Sequence, residues 1–203
     1  EPLDPVRYLS NESTGYMGTC LAAEALARGH RVTVVCGPVS EPFPRGVRLI
    51  PVMSAWQMER AMRREAKTAD AVIMAAAVAD FRPARPAASK LPRRNRLTLR
   101  LEGTPDIIGC LPRRPAQAMA GFALETGGEL RRAARKLREK RLDLVVAQQT
   151  RGRSPFGRRR IRAWLLERGG AVTDLGWAAK PAVAGALLDK IEALWNTRRP
   201  KKA

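Results

Sequence analysis

The sequence predicts an α/β protein of Rossmann-like architecture, in which a mostly parallel sheet carries helices on both faces. Two observations lead to this fold class. Helix-like and strand-like segments alternate along the chain, and strand segments such as residues 71–76 and 142–147 are apolar on both faces, as buried parallel strands are. With 203 residues, 45% of them hydrophobic, the chain is long enough to bury a core of its own.

In the first part of the chain, helical spacing and β-branched runs define the elements. Leu21, Ala25 and Leu26 recur at helical spacing before Gly29, a residue that favours a helix end. Ser54 is a typical N-cap for a helix that follows it. The elements expected here are a helix at 17–28, strands at 31–36 and 47–52, a helix at 55–67 and a central strand at 71–76.

In the second part, Pro and Arg concentrate in residues 81–95, which predicts an exposed loop. Residues 128–140 have an amphipathic helical pattern, and Gly169-Gly170 predicts the turn of a C-terminal β-hairpin. The other expected elements are a one-sided strand at 96–101, a short helix opening at Pro105, strands at 118–123, 142–147, 161–166 and 171–175, and a closing helix at 181–195. We expect one domain at 1–197, with a flap-like loop and strand at 81–101, and a basic tail at 198–203.

The charge of the chain is strongly positive. Lys and Arg number 38 against 19 Asp and Glu, a net charge of +19, and most of the excess follows Pro92. Such a balance attracts polyanions of any kind. Only four Trp, four Phe and two Tyr are present, and they do not interleave with basic residues as nucleic-acid stacking platforms do. We therefore expect binding to nucleic acid to be non-specific.

The reactive side chains and the hydropathy exclude several classes. Cys20, Cys36 and Cys110 are odd in number and lack C-x-x-C spacing, which indicates reduced thiols. His30, the only histidine, lies in a turn, where a general-base or metal role is not expected. No apolar run approaches the roughly 18 residues of a membrane span, so the expected location is the cytoplasm, away from membranes.

Residues 4–18 form the most informative segment. A polar, Gly-containing loop ahead of a helix N-terminus presents free backbone N–H groups, which suit a phosphate or a carboxylate. Arg7 adds a planar donor fork for the same kind of anion, and Asn11 adds a neutral amide that can donate and accept. On the residues alone, a simple helix cap remains an equally good interpretation of this loop.

The same segment carries a resemblance to a known family. Residues 1–18, followed in order by GPVS at 37–40, AAAVADFRPA at 75–84, PDI at 105–107, GFALET at 121–126 and LDLVVA at 142–147, resemble the phosphopantothenate–cysteine ligase family. This family includes the phosphopantothenoylcysteine synthetase domain of the bacterial coenzyme A biosynthesis bifunctional flavoproteins. The resemblance runs from Glu1 to about Ala147, and more loosely to Trp195.

The resemblance implies a ligase that joins 4′-phosphopantothenate and L-cysteine through an acyl-nucleotidyl intermediate. The nucleotide would be CTP and the metal Mg²⁺, which bridges phosphate oxygens. It further implies a homodimer and a flavoprotein partner, phosphopantothenoylcysteine decarboxylase, which is either fused or separate.

The resemblance also assigns site residues. Asn11 and Lys90 match catalytic positions, Lys90 on the mobile flap, and Arg7 matches a substrate-binding position. Residues that match nucleotide-binding positions, besides Lys90, are Met74, Ala75, Ala76, Asp80, Pro105, Asp106, Ile107, Ile108, Phe122, Lys136 and Lys140. The i, i+4 spacing of the last two lysines puts both ammonium groups on one edge of a helix. Metal ligands are not assigned.

Several positions depart from the family pattern. The family has an apolar strand and a Gly-Pro-Thr turn ahead of the position of Glu1, so the first strand of the fold is expected to be missing. Tyr16 replaces a lysine, Pro92 interrupts the lysine-rich flap, and Gly103-Thr104 and Gln148-Gln149 replace Lys-Asn and Asn-Asp pairs. Two alternatives therefore stay open: a non-catalytic or impaired homologue, and a basic protein that binds polyanions.

Overall fold

The computed structural model describes residues 1–125, 127–149 and 155–199, and its helices and strands alternate along the chain. In chain order the elements are α1 (Tyr16–Ala27), β1 (Thr33–Cys36), β2 (Arg48–Pro51), α2 (Ala55–Glu65), β3 (Ala71–Met74), β4 (Phe81–Pro83), β5 (Leu101–Gly103), β6 (Ala118–Glu125), α3 (Glu129–Glu139), β7 (Leu144–Gln149), β8 (Ile161–Glu167), β9 (Val172–Ala178) and α4 (Lys180–Arg198). Each long predicted element is present, within a few residues of its expected bounds.

The central sheet has the strand order β3-β6-β7-β8-β9. Its first three strands are parallel, and the last two are antiparallel to their neighbours. The strands β1 and β2 form a separate parallel pair, and β4 and β5 a short antiparallel pair. The predicted α/β class with a mostly parallel sheet is confirmed, although β3 lies at the edge of its sheet instead of at the centre.

The core lies on both faces of the central sheet, because side chains along a strand alternate between its faces. On β7, Leu144 and Val146 pack with α1 and α4, whereas Val145 and Ala147 pack with α3. All four side chains are fully buried. The sequence forms this sheet because β7 is apolar at successive positions and can bury both faces.

Local signals at the ends of elements behave as the sequence predicts. The Ser54 hydroxyl accepts the backbone N–H of Gln57 at 3.3 Å and caps α2. Gly170 has a φ of 92° in the turn between β8 and β9, a conformation that favours glycine, and so the C-terminal hairpin is confirmed. The longest helix, α4, has 19 residues, and none of the described helices is long and apolar enough to cross a membrane.

Two predicted elements differ from the structure. The helix expected at Pro105 is a single turn, closed by the bond from the Cys110 N–H to the Asp106 carbonyl. Pro112 cannot continue it, because proline has no N–H and disfavours helical geometry in the preceding residue. The strand expected at 96–101 is only β5, which pairs with β4 at the start of the expected loop. The proposed domain limits at 197 and 198 stay a prediction, and residues 200–203 of the basic tail lie outside the described residues.

A cavity of about 970 Å³ separates the two parallel units of the fold. It is lined by β1 on one side and β3 on the other, and by residues of α1, α2 and α4 above and below. Within the described chain, β1 pairs only with β2 and β3 only with β6, so each strand turns an unpaired edge to this cavity. The cavity is therefore a gap between two parallel strands, β1 and β3.

Candidate functional site

A second cavity, of about 810 Å³, lies at the carboxyl ends of β3 and β6. Parallel sheets place their ligands at this edge, where the loops that follow the strands converge. The first turn of α1 forms one wall and α3 another. Predicted site residues that line it are Asn11, Met74, Ala75, Ala76, Asp80, Pro105, Asp106, Ile107, Ile108, Phe122, Lys136 and Lys140.

The N-terminus of α1 opens into this cavity. Gly15 precedes the helix with a φ of 83°, and a Cβ at this position would lie 2.8 Å from the Val39 side chain. Glycine is therefore required both by the backbone conformation and by the close approach of residue 39. The Thr14 hydroxyl accepts the Tyr16 N–H at 3.3 Å. The unpaired N–H groups of a first helical turn, together with the helix dipole, favour an anion here.

Asn11 ties the N-terminal loop to the loop that follows β3. Its Nδ2 atom donates to the carbonyl oxygens of Ala77, at 3.2 Å, and Val78, at 3.1 Å. The same loop is held from its other side by Thr104, whose hydroxyl donates to the Ala79 carbonyl at 2.6 Å. Asn11 does not cap α1, whose N-cap is Gly15, and its side chain instead joins two walls of the cavity.

Both predicted lysines of α3 reach the cavity, and each has a partner. Lys136 Nζ donates to the Phe122 carbonyl on β6, and Lys140 Nζ forms an ion pair with Asp106 Oδ1 at 2.8 Å. A Cβ at Gly109 would lie 2.4 Å from Asp106 Oδ2, so this glycine leaves room for the carboxylate. The i, i+4 spacing therefore places two ammonium groups along one wall, as the sequence predicts.

Lys180 is a third cation of the site, and sequence reasoning missed it. It lies at the start of α4, is 4% exposed, and donates to the carbonyls of Pro155 and Gly157 at 2.7 Å each. Burial lowers the pKa of this amine. The described partners of its ammonium are these two carbonyls and the Tyr16 ring, and a cation at a helix N-terminus is disfavoured by the dipole. The sequence carried one signal for this residue: Lys180 directly precedes Pro181 at a predicted helix start, where a positive charge is unfavourable and so suggests a special role.

Arg7 and Lys90 do not line this cavity. The guanidinium of Arg7 donates to Asp4 and, at 2.9 Å, to the carbonyl of Leu91. Lys90 is exposed in the loop between β4 and β5, next to that carbonyl. The structure brings the two residues to one place, near the middle of the flap, and neither is among the residues that line the cavity.

The cavity has few groups that could ligate a metal ion. Clusters of three or more His, Cys, Asp or Glu side chains with suitable positions do not occur in the described ranges. Glu12, Asp80 and Asp106 are the carboxylates that line the cavity, and Asp106 is paired with Lys140. Mg²⁺ commonly binds through one or two carboxylates together with substrate phosphates, and Asp80 fits that pattern.

The arrangement matches known proteins over nearly the whole chain. Residues 1–194 match the family described as the DNA/pantothenate metabolism flavoprotein C-terminal domain. The chain belongs to this family. The match confirms the resemblance on which the sequence prediction depended, and the family's fold is the one described above.

Individual relatives agree with the family match. A cysteine/cysteine sulfinic acid decarboxylase from an unknown prokaryotic organism is 36% identical over 199 residues, covering 96% of this chain and 55% of that protein. The coenzyme A biosynthesis bifunctional protein CoaBC of Escherichia coli strain K12 is 41% identical over 164 residues, covering 75% of this chain and 40% of that protein. The chain spans about half the length of the curated relatives it matches.

A solved structure is also similar. The crystal structure of the C-terminal domain of a coenzyme A biosynthesis bifunctional protein CoaBC has a TM-score of 0.82 and 32% identity, and the match covers 97% of this chain and 91% of that one. The fold of this chain is therefore that of the C-terminal domain of such a bifunctional protein.

Proposed function

We propose that the chain is a phosphopantothenate–cysteine ligase that joins 4′-phosphopantothenate to L-cysteine with CTP. The observation that carries the proposal is the cavity at the carboxyl ends of β3 and β6, where the first turn of α1 and three lysines meet in a chain of this family. Backbone N–H groups and ammonium groups are suitable partners for the phosphates of both anionic substrates. The uncharged Asn11 amide between them can approach an acyl-phosphate without repulsion.

The proposed reaction has two steps. A carboxylate oxygen of 4′-phosphopantothenate attacks the α-phosphorus of CTP, and the bond to pyrophosphate breaks. The cysteine amine then attacks the acyl carbon, CMP leaves with the bonding electron pair, and the amine loses a proton to solvent. Mg²⁺, when bound, would neutralise phosphate charge, with Asp80 as its protein ligand.

In this reaction the described residues bind and orient the substrates. The α1 N-terminus, Lys136 and Lys140 would hold the triphosphate, and the apolar side chains of Ile107, Ile108 and Phe122 would pack against the nucleoside. Asn11 would stabilise the oxyanion that develops at the acyl carbon in the second step, for which one of its two N–H donors would turn from the Ala77 or the Val78 carbonyl to the substrate. A homodimer and a phosphopantothenoylcysteine decarboxylase that consumes the product belong to the same proposal.

The test is pyrophosphate release by the purified chain in a coupled assay. We expect release from CTP only when 4′-phosphopantothenate is present, and CMP and phosphopantothenoylcysteine only when cysteine is added. Background rates with CTP, ATP, GTP and UTP would contradict the proposal.

Background rates would instead favour a non-catalytic homologue, which one observation supports. Tyr16 occupies the first turn of α1, and its ring lies 5.2 Å from the Arg158 guanidinium and 6.0 Å from Lys180 Nζ. The tyrosine that replaces the family's lysine therefore has its ring next to two cationic side chains beside the site. Retention of CTP, measured by equilibrium dialysis, without turnover would establish this alternative.

A further inference from the structure

Asp4 is a carboxylate with a fully buried side chain, and it does not line the cavity of the candidate site. Its Oδ1 atom accepts the backbone N–H groups of Val6, at 2.9 Å, and Arg7, at 2.8 Å. Its Oδ2 atom accepts Arg7 Nε at 2.9 Å, Arg7 Nη2, and the backbone N–H of Leu91 at 3.2 Å. The bond with the Arg7 side chain, above all, holds the pKa of Asp4 well below its ordinary value.

The Asp4–Arg7 pair holds both backbone polar groups of Leu91. Asp4 accepts its N–H, and Arg7 Nη2 donates to its carbonyl at 2.9 Å. A second bond, from the Ala87 N–H to the Leu3 carbonyl at 2.9 Å, fixes the same segment four positions earlier. Leu91 and Ala87 lie within the loop between β4 and β5, so the N-terminal turn holds this loop at two points near its middle, on either side of which the chain is exposed.

The same turn leads directly into the cavity. Residues 3–7 are followed by Ser10 and Asn11, which line it, while Lys90 directly precedes Leu91. Arg7 itself does not line the cavity, and its charge is balanced by Asp4. These contacts leave Arg7 poorly suited to receive an anionic substrate and well suited to join two loops.

We propose that Asp4 and Arg7 are positioning residues, which clamp the flap at Leu91 and so fix Lys90 relative to the loop that carries Asn11. The proposal rests on the proposed function for the role of Lys90, but the clamp itself can be measured without turnover. It also assigns Arg7 a role different from the substrate contact that the family resemblance implies.

The variant Asp4→Asn separates the two roles of Arg7. If Arg7 binds the anionic substrate, removal of the neighbouring negative charge makes the site more positive, and KM for 4′-phosphopantothenate falls or stays constant. If Arg7 and Asp4 form a clamp, the amide cannot accept the guanidinium fork, and the flap is released. We then expect at least a tenfold faster hydrogen exchange in a peptide covering residues 87–91, and at least a tenfold lower kcat with little change in KM.

Arg7→Lys is a second variant for the case in which Asp4→Asn does not fold. It keeps the positive charge, which a substrate contact by charge needs, but a single ammonium cannot replace the fork that joins Asp4 and the Leu91 carbonyl. We expect it to raise the exchange of residues 87–91 and lower kcat in the same way.

Asp174→Asn is a matched control. Asp174 accepts both Nη atoms of Arg162 and the N–H of Gly176 at 2.8 Å, which is the same chemistry on the distant hairpin. This variant should leave both the exchange of residues 87–91 and turnover unchanged.

Each combination of results has one interpretation. Unchanged exchange in a folded Asp4→Asn or Arg7→Lys protein overturns the clamp. Faster exchange with unchanged kcat shows a clamp that has no positioning role, and overturns that part of the proposal. If the parent chain has no ligase activity, the proposed function fails, whereas faster exchange in both variants still supports the clamp.

Discussion

The two ends of the central sheet use charged residues in opposite ways. At the amino end of β7, Asp143 is 1% exposed. Its Oδ2 atom accepts the Met119 N–H at 2.9 Å and Arg113 Nη2, and its Oδ1 atom accepts Arg198 Nη2 at 2.8 Å and lies 3.5 Å from Arg168 Nε. At the carboxyl end, Lys136 and Lys180 donate to backbone carbonyls around an open cavity. At the amino end, hydrogen-bond donors surround one buried carboxylate. At the carboxyl end, lysines line a cavity in which an anion can bind.

The largest expected effect is on stability and concerns Asp143. Asp143→Asn removes the carboxylate with which Arg113, Arg168 and Arg198 all pair in the described part of the chain, and uncompensated buried charge commonly costs about 3–5 kcal/mol. We expect the free energy of unfolding, measured by urea denaturation, to fall by about that amount. Asp70→Asn is the control, because Asp70 is exposed and its pair with Arg114 is long, at 3.5 Å. Equal effects of the two variants would remove the contrast between the ends.

The same carboxylate predicts a pH dependence. Burial raises the pKa of Asp143, but hydrogen bonds from Arg198, Arg113 and the Met119 N–H outweigh burial and lower it to about 2, from an ordinary value of 3.8. A depressed pKa contributes stability above the unfolded value and loses it as the pH falls through the folded value. The difference between parent and Asp143→Asn should therefore shrink as the pH falls from 3.8 towards about 2.

The next largest effect is expected at Asn11. Asn11→Asp removes the donor to the Ala77 and Val78 carbonyls and places a carboxylate beside them and beside the acyl-phosphate. We expect first-turnover pyrophosphate release to persist and product formation to fall at least about 100-fold, roughly 2.7 kcal/mol. Acyl-cytidylate should accumulate in mass spectra. Asn95→Asp, the same change in the exposed flap, is the control, and equal turnover of both variants would show that Asn11 only joins two loops and takes no part in the reaction.

A smaller effect is expected for the lysines of α3. Lys136→Ala and Lys140→Ala should each raise KM for CTP about 10-fold, roughly 1.4 kcal/mol, with little change in Tm. Lys140→Ala should be the more severe, because it leaves Asp106 to repel the triphosphate. Lys190→Ala is the control, since Lys190 pairs with Glu167 away from the cavity. A lower Tm with an unchanged KM would show that the two lysines serve packing.

The smallest effect is expected from the net charge of +19. Because the excess arginines are spread over several elements, we expect weak binding to two unrelated oligonucleotides, with similar affinities and near-complete loss between about 50 and 200 mM salt. A titration at both salt concentrations measures this. A sequence preference that survives the higher salt would favour the polyanion-binding alternative.

Much of the fold could be predicted because its signals are local. Apolar runs predict the strands at 142–147 and 161–166. Ser54, Gly29 and Gly170 favour the ends of elements through their own backbone and side-chain preferences, which do not depend on tertiary contacts. Local signals of this kind could not predict that β1 and β2 form a sheet separate from the central one. Strand pairing joins residues distant in sequence, and the apolar pattern of residues 71–76 is the same at an edge as at a centre.

The site was predicted through ordered motifs, and its omissions have physical causes. Lys180, Asp4 and Asp143 act through burial and through carbonyl or guanidinium partners far along the chain, at Pro155, Leu91 and Arg198. A sequence shows residue types but not which ones lose water on folding. The assignment of Arg7 to substrate stays a prediction, and its contacts in the structure are with Asp4 and Leu91.

The gap between β1 and β3 has a consequence for local opening. Backbone amides on the two unpaired edges lack the ladder bonds that slow hydrogen exchange, and β1, β2 and α2 form a small unit packed on its own cluster around Met58 and Ile107. Such a unit opens at a lower free energy than the rest of the domain. Among the parallel strands β1, β3, β6 and β7, exchange should therefore be fastest at residues 33–36 and 71–74 and slowest on β7, and denaturation should lose the β1–β2 unit first.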